Sequence, residues 1–340
     1  MAKEILGTTW TVYDADTLTQ AEIYGQVLAE LGGKHPEIVA LTADLAKSTK
    51  IGKFQEVYPE RFFNVGIAEQ NMFGMAAGMA KSGLLPVVST MAAFASMRAG
   101  EQVRTDICYQ NLNVKIIATH AGLSFGAAGS THHCLEDLSI MRAFPNMTVI
   151  VPADGIETAN AVRAAIEKHQ GPVYIRIGRG FEPPYYKDEN YGFEIGKAVK
   201  LREGTDISII ATGIGVLQAA EAADFLKEND GISVEVINMH TIKPIDREAV
   251  INAVKNSRRI LTVEEHNVMG GLGSAVAEVI VESGMACAFD KIGIPDEFSI
   301  VGYPEDLYSH YKLDSNGIIE KVREIMGKDF EEDDNWDDEF

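Results

Sequence analysis

Cysteine is scarce in this chain. Three residues, Cys108, Cys134 and Cys287, are spread far apart over 340 positions. An odd number at such spacing argues against a disulfide framework and against a thiolate zinc site, and it fits a reducing, cytoplasmic setting. Positive charge is short as well: 30 basic side chains face 50 acidic ones, for a net charge of −20. A chain of that sign repels phosphodiester backbones and anionic bilayers, so neither nucleic acid nor membrane is an expected partner. No apolar run approaches the roughly 20 residues needed to cross a bilayer. The opening MAKEILGTTWTVYDADTLTQ lacks the apolar stretch of a secretion signal. Aromatics are modest at 8%, but hydrophobic residues reach 46%, which is ample for a buried core divided between two domains.

Short β-branched runs alternate with Ala-rich stretches. Candidate strands are Ile38–Thr42, Phe62–Val65, Leu85–Ser89, Val114–Thr119, Thr148–Val151 and Val173–Ile177. Candidate helices between them are Thr19–Leu31, Glu69–Lys81, Ala92–Cys108, Leu135–Ala143 and Ile156–Lys168. This alternation predicts an α/β fold with a mostly parallel sheet covered on both faces. The pattern breaks at Gly178–Tyr191, where GRGFEPPYYKDENY holds two prolines and four aromatics. A second alternation follows, with strands at Ile207–Thr212, Val234–Asn238 and Ile260–Val263, a helix near Gly215–Lys227 and another after Gly273. The expected organisation is a first α/β domain over 1–185, a linker over 186–194 and a second α/β domain over 195–327. The tail at 328–340 carries eight acidic side chains and one basic one, a composition expected to stay disordered.

One segment stands out chemically: Arg61-Phe62-Phe63-Asn64-Val65-Gly66-Ile67-Ala68-Glu69-Gln70-Asn71. A strand ends, Gly66 permits a tight turn, and Glu69 opens a helix of small apolar residues. In open α/β sheets ligands bind outside the carboxyl ends of strands. From the spacing alone, Glu69 reads first as a first-turn glutamate favoured by the helix dipole. Three more segments sit at predicted strand ends or in loops: Ser89-Thr90-Met91-Ala92-Ala93-Phe94-Ala95-Ser96-Met97, Ala118-Thr119-His120-Ala121-Gly122-Leu123-Ser124, and Gly126-Ala127-Ala128-Gly129-Ser130-Thr131-His132-His133. Singly, Phe94 reads as core, His120 as a strand-end histidine and the glycine loop as a turn.

Taken in order, with Leu135-Glu136-Asp137-Leu138 after them, these segments resemble the pyrimidine-binding domain of transketolase over Thr19 to Arg179. The second unit, with Leu261-Thr262-Val263-Glu264-Glu265-His266 and Gly270-Gly271-Leu272-Gly273-Ser274, resembles the transketolase C-terminal domain. The resemblance implies two doubly wound α/β domains, thiamine diphosphate and Mg²⁺ as cofactors, and transfer of a two-carbon ketol unit between sugars or sugar phosphates. It makes Glu69 the carboxyl that hydrogen-bonds N1′ of the aminopyrimidine and drives its proton traffic. Phe94 becomes the aromatic stacked on that ring, with Ile67, Met91, Met97 and Asp44 around it. Met91 and Met97 stand where many members have aromatics, and a thioether can pack on a ring face. His120, also a catalytic candidate, and His132 face the substrate. Arg179 and Ser48 take its phosphate, an arginine fork and a hydroxyl being suited to that group.

The sequence departs from the family at two places. Ala128 stands where an acidic residue reads the hydroxyl next to the carbonyl. Thr19-Gln20-Ala21 stands where a second phosphate-binding arginine is expected. Both put the usual pentose phosphate substrates in question. The Gly-Asp-Gly mark of the diphosphate and Mg²⁺ domain is missing too: Ala153-Asp154-Gly155 and Asn229-Asp230-Gly231 lack the leading glycine and follow Glu69. No metal ligand is therefore expected in this chain. An N-terminal partner chain should supply those ligands, with homodimerisation through this chain giving a heterotetramer. The rival readings are the β subunit of a 2-oxoacid dehydrogenase component and a deoxyxylulose phosphate synthase-like enzyme. A non-catalytic nucleotide-binding or scaffold protein would lean on the weak Gly213-Ile214-Gly215 turn, and a flavoprotein-like role has no stronger support.

Overall fold

The computed structural model describes residues 18–180 and 182–327. The expected acidic tail at 328–340 and the first 17 residues lie outside them. Twelve strands are found among the described residues: β1 Ile38–Thr42, β2 Phe62–Asn64, β3 Leu85–Met91, β4 Lys115–Thr119, β5 Thr148–Ile150, β6 Val173–Arg176, β7 Val199–Arg202, β8 Ile207–Ala211, β9 Val234–Asn238, β10 Thr241–Lys243, β11 Arg259–Asn267 and β12 Ala288–Ile294. They form a seven-stranded sheet in the order β10-β5-β6-β4-β3-β1-β2 and a five-stranded sheet in the order β12-β11-β8-β9-β7. Pairing is parallel throughout except at β10–β5 and β7–β9. The α/β class and the two mostly parallel sheets expected from the alternation are both present.

The central strands explain themselves. Ile38–Thr42 and Leu85–Met91 are buried at every position, as a parallel strand covered on both faces requires. One side of the large sheet packs on the helices Gln20–Lys34 and Gly155–Glu167 through Ile23, Val27, Ile156 and Val162. The other side belongs to a core that continues into the second unit, joining Leu41, Val88 and Ile116 to Ile237, Met239 and Leu272. Side-chain oxygens start these helices: Thr19 and Glu22 form a reciprocal cap, and Asp154 accepts from the Glu157 amide.

Two features were not legible beforehand. Strand β10 comes from the second unit but completes the first sheet, pairing antiparallel with β5; Lys243 there donates to the Arg142 and Phe144 carbonyls. The segment expected as linker is fastened: Tyr186 and Tyr191 stack at 3.7 Å, the Tyr191 hydroxyl donates to the buried Glu157 carboxylate, and Asn238 donates to Glu157 and to the Tyr186 oxygen.

The helix expected as one piece over Ala92–Cys108 is interrupted. Wider turns span Phe94–Arg98 and Val103–Cys108, where Ala99 N–H reaches the Phe94 carbonyl and Tyr109 N–H the Arg104 carbonyl, five residues back. Such an extra residue per turn re-aims side chains and is frequent at functional sites.

Candidate functional site

The carboxyl ends of β6, β4, β3, β1 and β2, five adjacent strands, converge on one edge of the large sheet. Each strand delivers a predicted residue there: Arg179 after β6, His120 after β4, Phe94 after β3, Asp44 and Ser48 after β1, and Glu69 after β2. The turn before Glu69 is held by Asn64. Its amide oxygen accepts from the Asp44 and Gly66 backbones at 3.0 and 3.1 Å, and its amide nitrogen donates to Asp44 at 3.2 Å. Gly66 has φ of +73°, and Asp44 itself lies in the left-handed region at +60°.

Glu69 is 2% exposed and lies in the first turn of its helix. Its Oε1 accepts from Arg98 at 2.9 Å, while Oε2 has no hydrogen-bond partner among the described residues. The widened turn after β3 brings Phe94 and Arg98 to the same face, with the guanidinium 4.0 Å from the ring centre. Carboxylate, guanidinium and phenyl ring thus form one stack. Around it the chain is open: Ile67 is 77% and Met97 50% exposed, whereas Met91 is buried at the end of β3.

The neighbouring region is closed. His120 is buried in the left-handed conformation, with Nδ1 2.7 Å from Thr119 Oγ1 and Nε2 3.2 Å from Ser48 Oγ. Burial, reinforced by the positive charge of Arg179 and by His132, pushes its pKa down to about 4, so the ring is neutral at pH 7. A neutral imidazole flanked by two hydroxyls can donate at one nitrogen and accept at the other. Phe125 sits among these groups: His120 and His132 contact it edge-on at 4.8 and 5.4 Å, and Arg179 stands 4.9 Å from its centre. His132 also meets Phe94 edge-on at 6.0 Å, which links the closed region to the open one. A cleft of about 500 Å³ opens beside His120, walled by Ser48, Asp44, Arg179, Lys47 and Lys50. Ala128 lies in the short turn Gly126–Ala128 on this loop.

The second unit braces that loop. Glu265 accepts from the Leu123 amide at 2.7 Å, and Arg176 ties Asp137 at 2.9 Å to the Cys134 and Glu265 carbonyls. His133 spans from the Gly126 carbonyl to Ser299. Gly122, at φ +61°, leaves the room that Glu265 fills, and any Cβ there would fall on its carboxyl group. Burial pushes the Glu265 carboxyl up to about 7, against the pull of Arg176. Glu264, raised to about 7 by burial, accepts from the Leu272 and Gly273 amides at a helix start.

Sequence reasoning missed four contributors. Arg98 lies four residues after Phe94, a spacing that could have signalled it. Asn64 sits inside the quoted motif. Phe125 reads as packing, and Glu265 is 142 residues from its partner.

A doubly wound α/β chain with its polar groups gathered at the carboxyl edge of one sheet is built to hold a ligand there. The model of the transketolase pyrimidine-binding domain matches residues 16–182, and that of the transketolase C-terminal domain matches residues 196–318. The chain belongs to the transketolase family. It is 47% identical over 307 residues to a chain of Methanocaldococcus jannaschii named as a transketolase C-terminal section, covering 90% of this chain and 96% of that one. It is 39% identical over 305 residues to one of the subunits of the apulose-4-phosphate transketolase of Phocaeicola vulgatus, with the same shares covered. A solved split-gene transketolase, an inactive β4 tetramer, superimposes with a TM-score of 0.82 at 44% identity, over 91% of this chain and 98% of that one. Among the described residues no helix is long and apolar enough to cross a membrane.

Proposed function

We propose that this chain is the C-terminal subunit of a thiamine diphosphate-dependent, two-chain transketolase. An N-terminal partner chain would supply the diphosphate and Mg²⁺ ligands, most simply in a heterotetramer. The reaction moves a two-carbon ketol unit from a ketose or its phosphate to the aldehyde carbon of an aldose, with no net oxidation. The observation that carries this reading is the pair formed by Glu69 and Phe94: a buried carboxylate with one oxygen unpartnered among the described residues, beside a half-buried aromatic ring that already holds the Arg98 guanidinium at 4.0 Å.

That pair fits an aminopyrimidine. Glu69 Oε2 would share a proton with the ring nitrogen and Phe94 would stack on the ring, with Ile67, Met97, Met91 and Asp44 around its rim. The cofactor supplies the carbon nucleophile and electron sink that ketol transfer needs. Glu69 holds and exchanges a proton at the ring nitrogen. His120, neutral at pH 7, orients the substrate hydroxyls and can pass a proton to or from the sugar oxygen, and His132 acts beside it. Arg179 and Ser48 bind an anionic end of the sugar. The relative named for apulose 4-phosphate supports a phosphorylated substrate outside the usual pentose phosphates, as does Ala128 in place of the family's acidic residue.

The test is an assay of ketol transfer by this chain alone and mixed with a candidate N-terminal chain, with thiamine diphosphate and Mg²⁺. Activity only in the mixture, lost in Glu69→Gln, supports the reading. Oxidative decarboxylation of a 2-oxoacid in place of ketol transfer would replace it with the dehydrogenase β-subunit reading.

A further inference from the structure

The cleft beside His120 has an electrostatic character opposite to that of the whole molecule. The chain carries a net charge of −20. Three cationic side chains, Arg179, Lys47 and Lys50, nevertheless line the same space of about 500 Å³, against the single carboxylate of Asp44. Asp44 is already engaged by Asn64. Lys50 is partly satisfied by Glu22 at 3.2 Å. Lys47 and the Arg179 guanidinium have no acidic partner among the described residues; Arg179 rests on the Phe125 ring. In a protein with a surplus of acidic side chains, two cations left without carboxylates on either side of a cleft mark a place that draws a fixed anion.

The loop presenting Lys47 is built, not loose. Thr49 is fully buried, and its amide and hydroxyl both return to the Leu45 carbonyl at 2.9 Å, while the Gly52 amide reaches the Ala46 carbonyl at 3.1 Å. Asp44 and Lys50, at either end, both adopt the left-handed conformation. This compact turn fixes Lys47 next to Ser48, whose hydroxyl meets His120 at 3.2 Å. Thr19 and Ala21 form another part of the wall and carry no charge. Those positions lie where the transketolase resemblance calls for a second arginine.

We propose that Lys47 is a specificity-determining residue that binds the terminal oxyanion of the sugar substrate together with Arg179 and Ser48. This inference rests on the ketol-transfer reading of the site. Lys47 supplies a point charge in place of a planar fork, so it favours a compact tetrahedral oxyanion, a phosphate or a sulfonate, over a carboxylate. Lys50, held by Glu22, contributes less.

The experiment compares the two-chain enzyme carrying wild-type chain, Lys47→Ala, Lys47→Arg or Lys50→Ala. KM is measured for a ketose phosphate and for the same ketose without phosphate. Lys47→Ala is expected to raise the KM of the phosphorylated sugar about tenfold more than that of the unphosphorylated one, equivalent to about 1.4 kcal/mol. Lys47→Arg restores most of the difference, and Lys50→Ala moves it less than Lys47→Ala. Equal changes for both sugars in Lys47→Ala, or a larger change in Lys50→Ala, overturn the proposal. Calorimetric titration of the same proteins with D-ribose 5-phosphate against D-ribose decides the point independently of turnover. If no ketose is turned over, the functional reading fails, yet selective loss of ribose 5-phosphate binding in Lys47→Ala still supports the anion site and unchanged binding overturns it. A ketose with a terminal sulfonate separates the two anions: a phosphate ester loses charge below its second pKa of about 6, and a sulfonate does not.

Discussion

The two regions joined by His132 are finished to different degrees. The His120 ring is enclosed: Thr119, Ser48 and Phe125 surround it, and Glu265 reaches across from the second unit to hold the loop. Around Glu69 the carboxylate has one oxygen unpartnered among the described residues, and apolar side chains such as Ile67 and Met97 stand in the open. Exposing apolar surface beside a buried charge is costly unless something covers it. On the proposed reading, the contrast sets a sugar cleft enclosed largely by this chain beside half of a cofactor shelf. The proposed second polypeptide would cover that open shelf.

The sharpest way to break this comparison is at Glu69. Glu69→Gln keeps the shape and removes the proton exchange, so ketol transfer by the assembled enzyme should fall about 10²–10⁴-fold, the range for a lost acid–base group. KM for the sugar should change little. A loss confined to KM would mean that the two regions are not divided as described. Next comes Gly122→Ala. Strain at a left-handed residue costs about 1–3 kcal/mol, and the collision with Glu265 adds to it. A fall of several degrees in Tm with a raised sugar KM is expected, and an unchanged Tm would show that Glu265 does not brace the loop. Phe125→Ala should raise the KM of the donor sugar about tenfold (about 1.4 kcal/mol) and leave thiamine diphosphate affinity within twofold, separating the closed region from the open one in a single variant.

The smallest effect concerns pH. Glu265 is raised to about 7 in the fold from an ordinary value near 4.5. The folded state therefore favours the protonated form. Its contribution to stability is full below about pH 4.5 and is lost as pH rises toward 7. Glu265→Gln, which cannot ionise, should flatten the dependence of Tm on pH between about 4.5 and 7; a variant with the same slope as wild type would assign that slope to other groups.

Much of this architecture was legible in the sequence because strand ends carry both fold and function. Ile38–Thr42 and Glu69–Lys81 have the predicted bounds, and the residues read as Glu69, Phe94, His120 and Arg179 do meet at one sheet edge. Local pattern could not show the widened turn after Ala93, because Ala-rich sequence fits a regular helix equally well. Nor could it show β10 crossing into the first sheet, since three residues give no periodicity and the pairing is long-range. Phe125 and Lys47 escaped for a related reason. An aromatic in a glycine loop and a lysine after a strand have bland local explanations, and only the cleft that brings them beside His120 and Arg179 gives them a role.

The proposed cofactor site is shared between two chains. The direct measurement is calorimetric titration of thiamine diphosphate, with Mg²⁺, into this chain alone and into its mixture with the N-terminal chain. Saturable binding is expected in the mixture at one cofactor per copy of this chain, with no saturable binding to this chain alone. Tight binding to this chain alone, with ketol transfer, would contradict it.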